Sequence, residues 1–260
     1  MLSLSRHTLF SDVFAPGLKL IEQVKLSFKV TRNKEISDSF NYIESHIAKR
    51  QTVLCIGIQQ DEHLFVLRKI AGKFGKVIVF AATGDVFGRL RDTVNKIKWS
   101  NVVIEPVVFS EISEDVIFNS FAGNQARVKG ATVIDMNSRN VYNRAELNSP
   151  TLDSYCAIQD LQPDIIQIKM PGFELKILEG ATELVKNNKP TIVIECEERL
   201  IGRSRVQEVF HFLTGMHYNG FFILDTIRIP VQNFDFDVYQ NPRSNFYCNT
   251  FIFESSHKRT

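Results

Sequence analysis

No apolar run in the sequence is long enough to cross a membrane. The longest, such as 52–58, stop at about seven residues, against the ~20 that a spanning helix requires. Charge of one sign is not in excess. The 31 Lys and Arg face 29 Asp and Glu, for a net charge of +2, so the basic stripe of a dedicated nucleic-acid binder is missing. Cysteine is scarce: the four residues at 55, 156, 196 and 248 are too scattered for a disulfide scaffold. No CxxC or Cys/His cluster suggests a metal site. The first residues, MLSLSRHTLF, lack the basic-then-apolar layout of a secretory signal, so a cytoplasmic protein with reduced thiols is expected. Tryptophan is nearly absent, one residue against 21 Phe. Phenylalanine builds a core but carries no proton chemistry.

What is present is a regular alternation of elements. After an N-terminal arm, Asp38 or Ser39 is placed to cap a helix with Phe40, Ile43 and Ile47 on one face. Apolar strands are predicted at 52–58, 76–81, 101–107, 164–169 and 190–195. Helices are predicted at 61–71, 85–97, 173–187 and 204–213, each with an apolar stripe at helical spacing. Because the strands are continuously apolar rather than alternating, both faces of the sheet should be covered. The β-α-β order implies parallel strands with right-handed crossovers. Two further strands, at 220–225 and 246–253, read as a closing antiparallel pair. The stretch 111–150 is polar and irregular, and reads as a short β-ribbon with loops. The expected architecture is an N-terminal arm and helix over 1–50, then one α/β domain over 51–260. Its sheet is expected to be Rossmann-like, doubly wound and seven-stranded, mostly parallel with one antiparallel closing strand.

Several segments carry a resemblance in the right order: VLCIGI (53–58), KVIVF (76–80), NVVIEPVVFS (101–110), TLD (151–153) and PTIVIE (190–195). The strongest is PDIIQIKMPGFELKILEGA (163–181). Together they resemble the FkbM-type S-adenosylmethionine (SAM)-dependent methyltransferases over about 51–198. The resemblance implies a class I methyltransferase fold, SAM as cofactor, and a glycan or small-metabolite hydroxyl as acceptor.

The chain departs from the family where the cofactor would be held. The family's D-x-G-A-N-x-G turn after the first strand reads Cys55, Ile56, Gly57, Ile58, Gln59, Gln60, Asp61 here, so only Gly57 is kept. Asp61 is expected to cap the following helix, where its carboxylate would repel the cofactor's own. The family's ribose-binding Glu after the second strand is Ala81, which accepts no such bond. Asp85 either reaches back from the helix start or, with Thr83, caps it. The acid after the fourth strand is Lys169, and the Glu two residues on is Pro171. Strand ends on the carboxyl side of an open parallel sheet form its ligand crevice. An ion pair of Lys169 with Glu195, the acid ending the fifth strand, is one reading; a solvated, unpaired lysine is the other.

Gly57, Cys55, Gln59, Asp61, Ala81 and Asp85 are therefore the candidate cofactor-binding positions, and Glu195 and Lys169 the candidate catalytic ones. Cys55 is expected to be a small buried hydrophobe rather than a nucleophile. Asp153, Asp164 and Glu174 match family acids, but each also suits a turn or a helix start. His63 could reach the crevice mouth, whereas His211 and His217 sit near a helix end. Two functions compete. One is an O-methyltransferase with a divergent pocket, in which Glu195 takes the acceptor proton. The other is a non-catalytic relative used as a binding or assembly module with a protein partner. A weaker third is an anionic ligand held by Lys169.

Overall fold

A computed structural model describes residues 42, 51–58, 61–81, 84–112, 114–120, 126–128, 143–244 and 246–256. The helix expected over 38–47 lies outside them except at Tyr42, which is helical.

The main sheet begins with β1 (Thr52–Ile56), α1 (Asp61–Ala71), β2 (Lys76–Phe80), α2 (Gly84–Ile97) and β3 (Val102–Glu105). It resumes with α3 (Leu152–Ile158), β7 (Ile165–Ile168), α4 (Glu174–Glu179), β8 (Thr191–Glu195), α5 (Glu198–Ile201) and α6 (Arg203–Gly215). It ends with β9 (Tyr218–Leu224), β10 (Ile227–Pro230), α7 (Phe236–Tyr239) and β11 (Thr250–Ser255). The strand order is β10-β9-β11-β8-β7-β1-β2-β3. Strands β3, β2, β1, β7 and β8 are parallel, and β11 runs antiparallel between β8 and β9.

This confirms the Rossmann-like α/β reading and corrects its count. The sheet has eight strands rather than seven, and both β10 and β11 run against the rest. The extra strand arises at a tight turn where Asp225 and Thr226 both take positive φ, which folds β10 back on β9 as a hairpin edge. The sequence IRIP, only four residues long and ending in proline, gives little apolar periodicity to find.

Two apolar layers cover the sheet. One holds Leu54, Ile56, Phe80, Phe109, Ile166, Ile168, Ile192 and Ile194; the other holds Val53, Cys55, Val77, Val79, Leu64 and Leu90. Successive strand residues point to opposite faces, so the continuous apolar runs follow directly from burial on both sides. The expected 173–187 helix is broken. Helix α4 stops at Gly180, where a Cβ would lie 2.3 Å from the Ser110 carbonyl oxygen. A new helical turn, π-type over Leu184–Asn188, follows it. The Asp153 carboxylate accepts the Glu183 and Leu184 N–H groups, each at 2.9 Å. The polar stretch contributes a separate antiparallel sheet, β5 (Ala126–Val128), β4 (Glu114–Ser120) and β6 (Asn143–Ser149), in that order.

Candidate functional site

The strand order reverses at β1, whose neighbours are β2 on one side and β7 on the other. In open α/β sheets the ligand crevice lies outside the carboxyl ends of the strands at such a switch point. Gly57 follows β1, Ala81 follows β2, Lys169 follows β7, and Glu195 ends β8, so these candidates meet along one sheet edge.

Gly57 has φ +90, and a Cβ there would sit 2.2 Å from the Lys169 carbonyl oxygen. Its N–H donates to the Phe80 carbonyl at 3.2 Å, while Lys169 N–H donates to the Ile56 carbonyl at 2.8 Å. The missing side chain thus admits the chain's own backbone. Cys55 is buried, its thiol 3.4 Å from Gln167 Oε1. Burial pushes that thiol up to about 12, against a weaker pull from Lys169, so it is a packed, protonated group.

Ala81 is buried, and its N–H donates to the Glu105 carbonyl at 3.0 Å. Beside it, Phe80 packs edge-on against Phe109 and Tyr155, with centroids 4.7 and 5.1 Å away, and Phe109 meets Tyr155 at 5.6 Å. These rings belong to the core cluster beneath the strand ends. Asp61 is the first residue of α1, not the residue before it. Its carboxylate pairs with Arg89 and accepts from Thr93 Oγ1 at 2.9 Å, which ties α1 to α2. The capping reading is corrected accordingly: the nearby guanidinium and hydroxyl of α2 hold the carboxylate sideways. Asp85 lies in the first turn of α2, inside the helix. Gln59 lies outside the described residues.

The β7–β8 end is charged. Lys169 Nζ lies 2.7 Å from Glu195 Oε2, with side-chain exposures of 25% and 24%. The ion-pair reading holds and the solvated-lysine reading does not. Burial raises the Glu195 carboxyl, and Lys169 pulls it back down. Glu174, at the start of α4, is 2% exposed. Its Oε2 accepts the Gly172 N–H at 2.8 Å, and its Oε1 has no hydrogen-bond partner. Burial pushes this carboxyl up to about 7, with Glu195 adding to the rise and hydrogen bonds and Arg205 opposing it.

Glu174 carries more of the site than its sequence position suggested. The signal was spacing: it precedes buried Ile177 and Leu178 by three and four residues, on the same helical face. Burial also works to raise Glu197, but bonds from Arg199, Asn249 and Tyr247 outweigh it and hold it low. Gln240 bridges the Cys196 and Cys248 carbonyls and accepts the Glu198 N–H at 2.6 Å. Asp153 serves the turn at 183–184, and Asp164 Oδ2 accepts the Thr52 N–H at 2.8 Å, so both are structural. His63 is buried at 2% exposure.

This topology, with its crevice at the β1–β7 switch, defines a class I methyltransferase fold. The methyltransferase FkbM domain matches residues 48–223, and the chain belongs to that family. Its fold is similar to that of an FkbM methyltransferase from Methylobacillus flagellatus, with TM-score 0.50 and 13% identity over 79% of this chain. The match covers 44% of that protein, so the chain spans less than half its length. It is also similar to a SAM-dependent O-methyltransferase from Thermotoga maritima, with TM-score 0.50, 12% identity, 90% of this chain and 72% of the other. No protein of curated function matches the chain in sequence.

Three positions that the family uses for SAM are altered or occupied in this chain. The space of Gly57 is taken by the Lys169 carbonyl, Ala81 offers the ribose no side-chain acceptor, and Lys169 is committed to Glu195. Among the described residues no cluster of His, Cys, Asp or Glu could hold a metal ion, and no helix is long and apolar enough to cross a membrane.

Proposed function

We propose that the chain is a non-catalytic FkbM-family protein that keeps the methyltransferase framework as a binding or assembly module. The observation that carries this reading is the Lys169–Glu195 bridge at 2.7 Å across the ends of β7 and β8. Moving one partner of this half-buried pair leaves an uncompensated charge on the other, which costs free energy. A ligand that needs this place must meet that cost first. The partner on this reading is another protein, met without nucleic acid and in the cytoplasm, and no cofactor is required.

A second reading has one observation in its favour. Glu174, with a carboxyl near neutrality at the crevice edge, has the proton affinity of a general base. On that reading the chain is an O-methyltransferase acting on a glycan or small-metabolite hydroxyl, and SAM is its cofactor.

Calorimetry and thermal unfolding with SAM and its demethylated product separate the two. A working site at a hundredfold excess over Kd stabilises the fold by about 2.7 kcal/mol. The non-catalytic reading expects no heat and no shift at millimolar cofactor. Saturable binding in the micromolar range overturns it.

A further inference from the structure

On the second face of the main sheet, α1 packs on β1 and β2, and α2 packs on β3. Strands β11 and β9 stand three and four places beyond β1, roughly 14 and 19 Å away at the usual strand spacing. A helix about 10–12 Å across does not reach that far. Yet Ile252, Phe221 and Ile223, which share the layer with α1 and α2, are only 0%, 2% and 7% exposed. The strand register sets Ile252 opposite Phe221, Glu254 opposite Asn219 and Arg228 opposite Ile223. Residues two apart share a face, so Arg228 and Glu254 border the same apolar surface.

Tyr42, which is helical, is seated there. Its ring meets Phe221 edge-on, with centroids 5.1 Å apart. Its hydroxyl accepts from Arg228 Nη1 at 2.6 Å and donates to Glu254 Oε1 at 3.3 Å. Arg228 closes the circuit: Nη2 lies 3.3 Å from Glu254 Oε2, and the guanidinium stacks 3.6 Å from the Phe221 centroid. One residue thus joins β9, β10 and β11. The family match spans 48–223, so Tyr42, Arg228 and Glu254 all lie outside it.

We propose that residues 38–47 form the helix that covers this end of the sheet, with Tyr42 as its clasp on the β9–β10 hairpin. The sequence places Phe40, Ile43 and Ile47 on one helical face. Tyr42 is one residue, about 100° of helical turn, from Ile43. It therefore stands on the flank of the stripe and reaches out to edge strand β10, while Ile43 and Ile47 lie over Ile252 and Phe221. The occupant is this chain's own segment because Tyr42 already holds that place by a ring contact and two hydrogen bonds. A four-residue edge strand such as β10 gains most from such a cover, since a lone hairpin is marginal in water.

The test is NMR of the full chain with its isoleucine methyl groups labelled. The Ile43 and Ile47 methyls are expected to show through-space contacts to those of Ile223 and Ile252, and their absence overturns the proposal. A sample mixing two labelling schemes separates contacts within one chain from contacts between chains. Contacts seen only between chains put a second copy on this face and also overturn it. The clasp is read by amide hydrogen exchange. Tyr42→Ala is expected to speed exchange in β10 and the paired part of β9 about tenfold, with β1 and β2 unchanged. Tyr42→Phe, which keeps the ring and loses the hydroxyl, is expected to fall between. Native exchange rates in Tyr42→Ala overturn the clasp, as does equal acceleration in every strand. None of these readouts involves SAM, so they stand apart from the non-catalytic reading.

Discussion

The β1–β2 and β7–β8 strand ends differ in kind. At β1 and β2 the polar groups are gone: Cys55 and Ala81 are buried, and Phe80, Phe109 and Tyr155 pack edge to face. At β7 and β8 the charges are kept but turned on one another, with Lys169 bound to Glu195 and Glu174 buried beside them. The difference teaches where adaptation is easy in this fold. The first end rests on burial, which needs only shape. The second keeps ionic groups whose mutual satisfaction is less forgiving.

The largest expected effect is at the aromatic end. Phe109 is fully buried, so Phe109→Ala should cost about 4 kcal/mol in urea denaturation. A loss under about 1 kcal/mol would show that this end is loosely packed. Next comes Lys169→Met, which leaves the half-buried Glu195 without its cation. About 3 kcal/mol of stability should be lost, and most of it recovered in the double variant Lys169→Met/Glu195→Leu. No recovery would mean that the bridge is not the unit described.

Glu174→Gln should go the other way. Its folded-state carboxyl lies at about 7, raised from 4.5 by burial. A raised carboxyl contributes stability below its unfolded value and loses it as pH rises through the folded one. The variant should therefore match the parent near pH 4 and exceed it by about 2 kcal/mol near pH 9, read from thermal unfolding at both. Equal stability at both pH values would contradict the buried-acid account. The smallest effect is at the exposed Asp61–Arg89 pair. Asp61→Asn should cost no more than about 1 kcal/mol, and less at high salt.

The apolar strand runs made the parallel core legible, because residues buried on both faces cannot alternate. The strand-end motifs left Lys169 either paired with Glu195 or solvated, and the 2.7 Å bridge decides for the pair. Less legible was β10, whose four residues carry little pattern and depend on positive φ at Asp225 and Thr226. The break in the 173–187 segment was hidden because its cause is tertiary: the Ser110 carbonyl against Gly180 and the Asp153 carboxylate under Glu183. Asp61 was misread for a similar reason. A side chain's partner on another helix leaves no mark in its own segment, and Arg89 and Thr93 are distant in the chain. Gly57 gave the opposite lesson. Its retention resembled a cofactor signature, yet the contact that requires glycine is the Lys169 carbonyl.

The central proposal is that this crevice does not bind SAM. Its most direct test is amide NMR of the full chain titrated with the demethylated cofactor, reading Gly57, Ala81 and Lys169. The account expects these amides to stay unchanged in the native chain at millimolar ligand. Saturable shifts concentrated at Gly57 and Ala81 would contradict it.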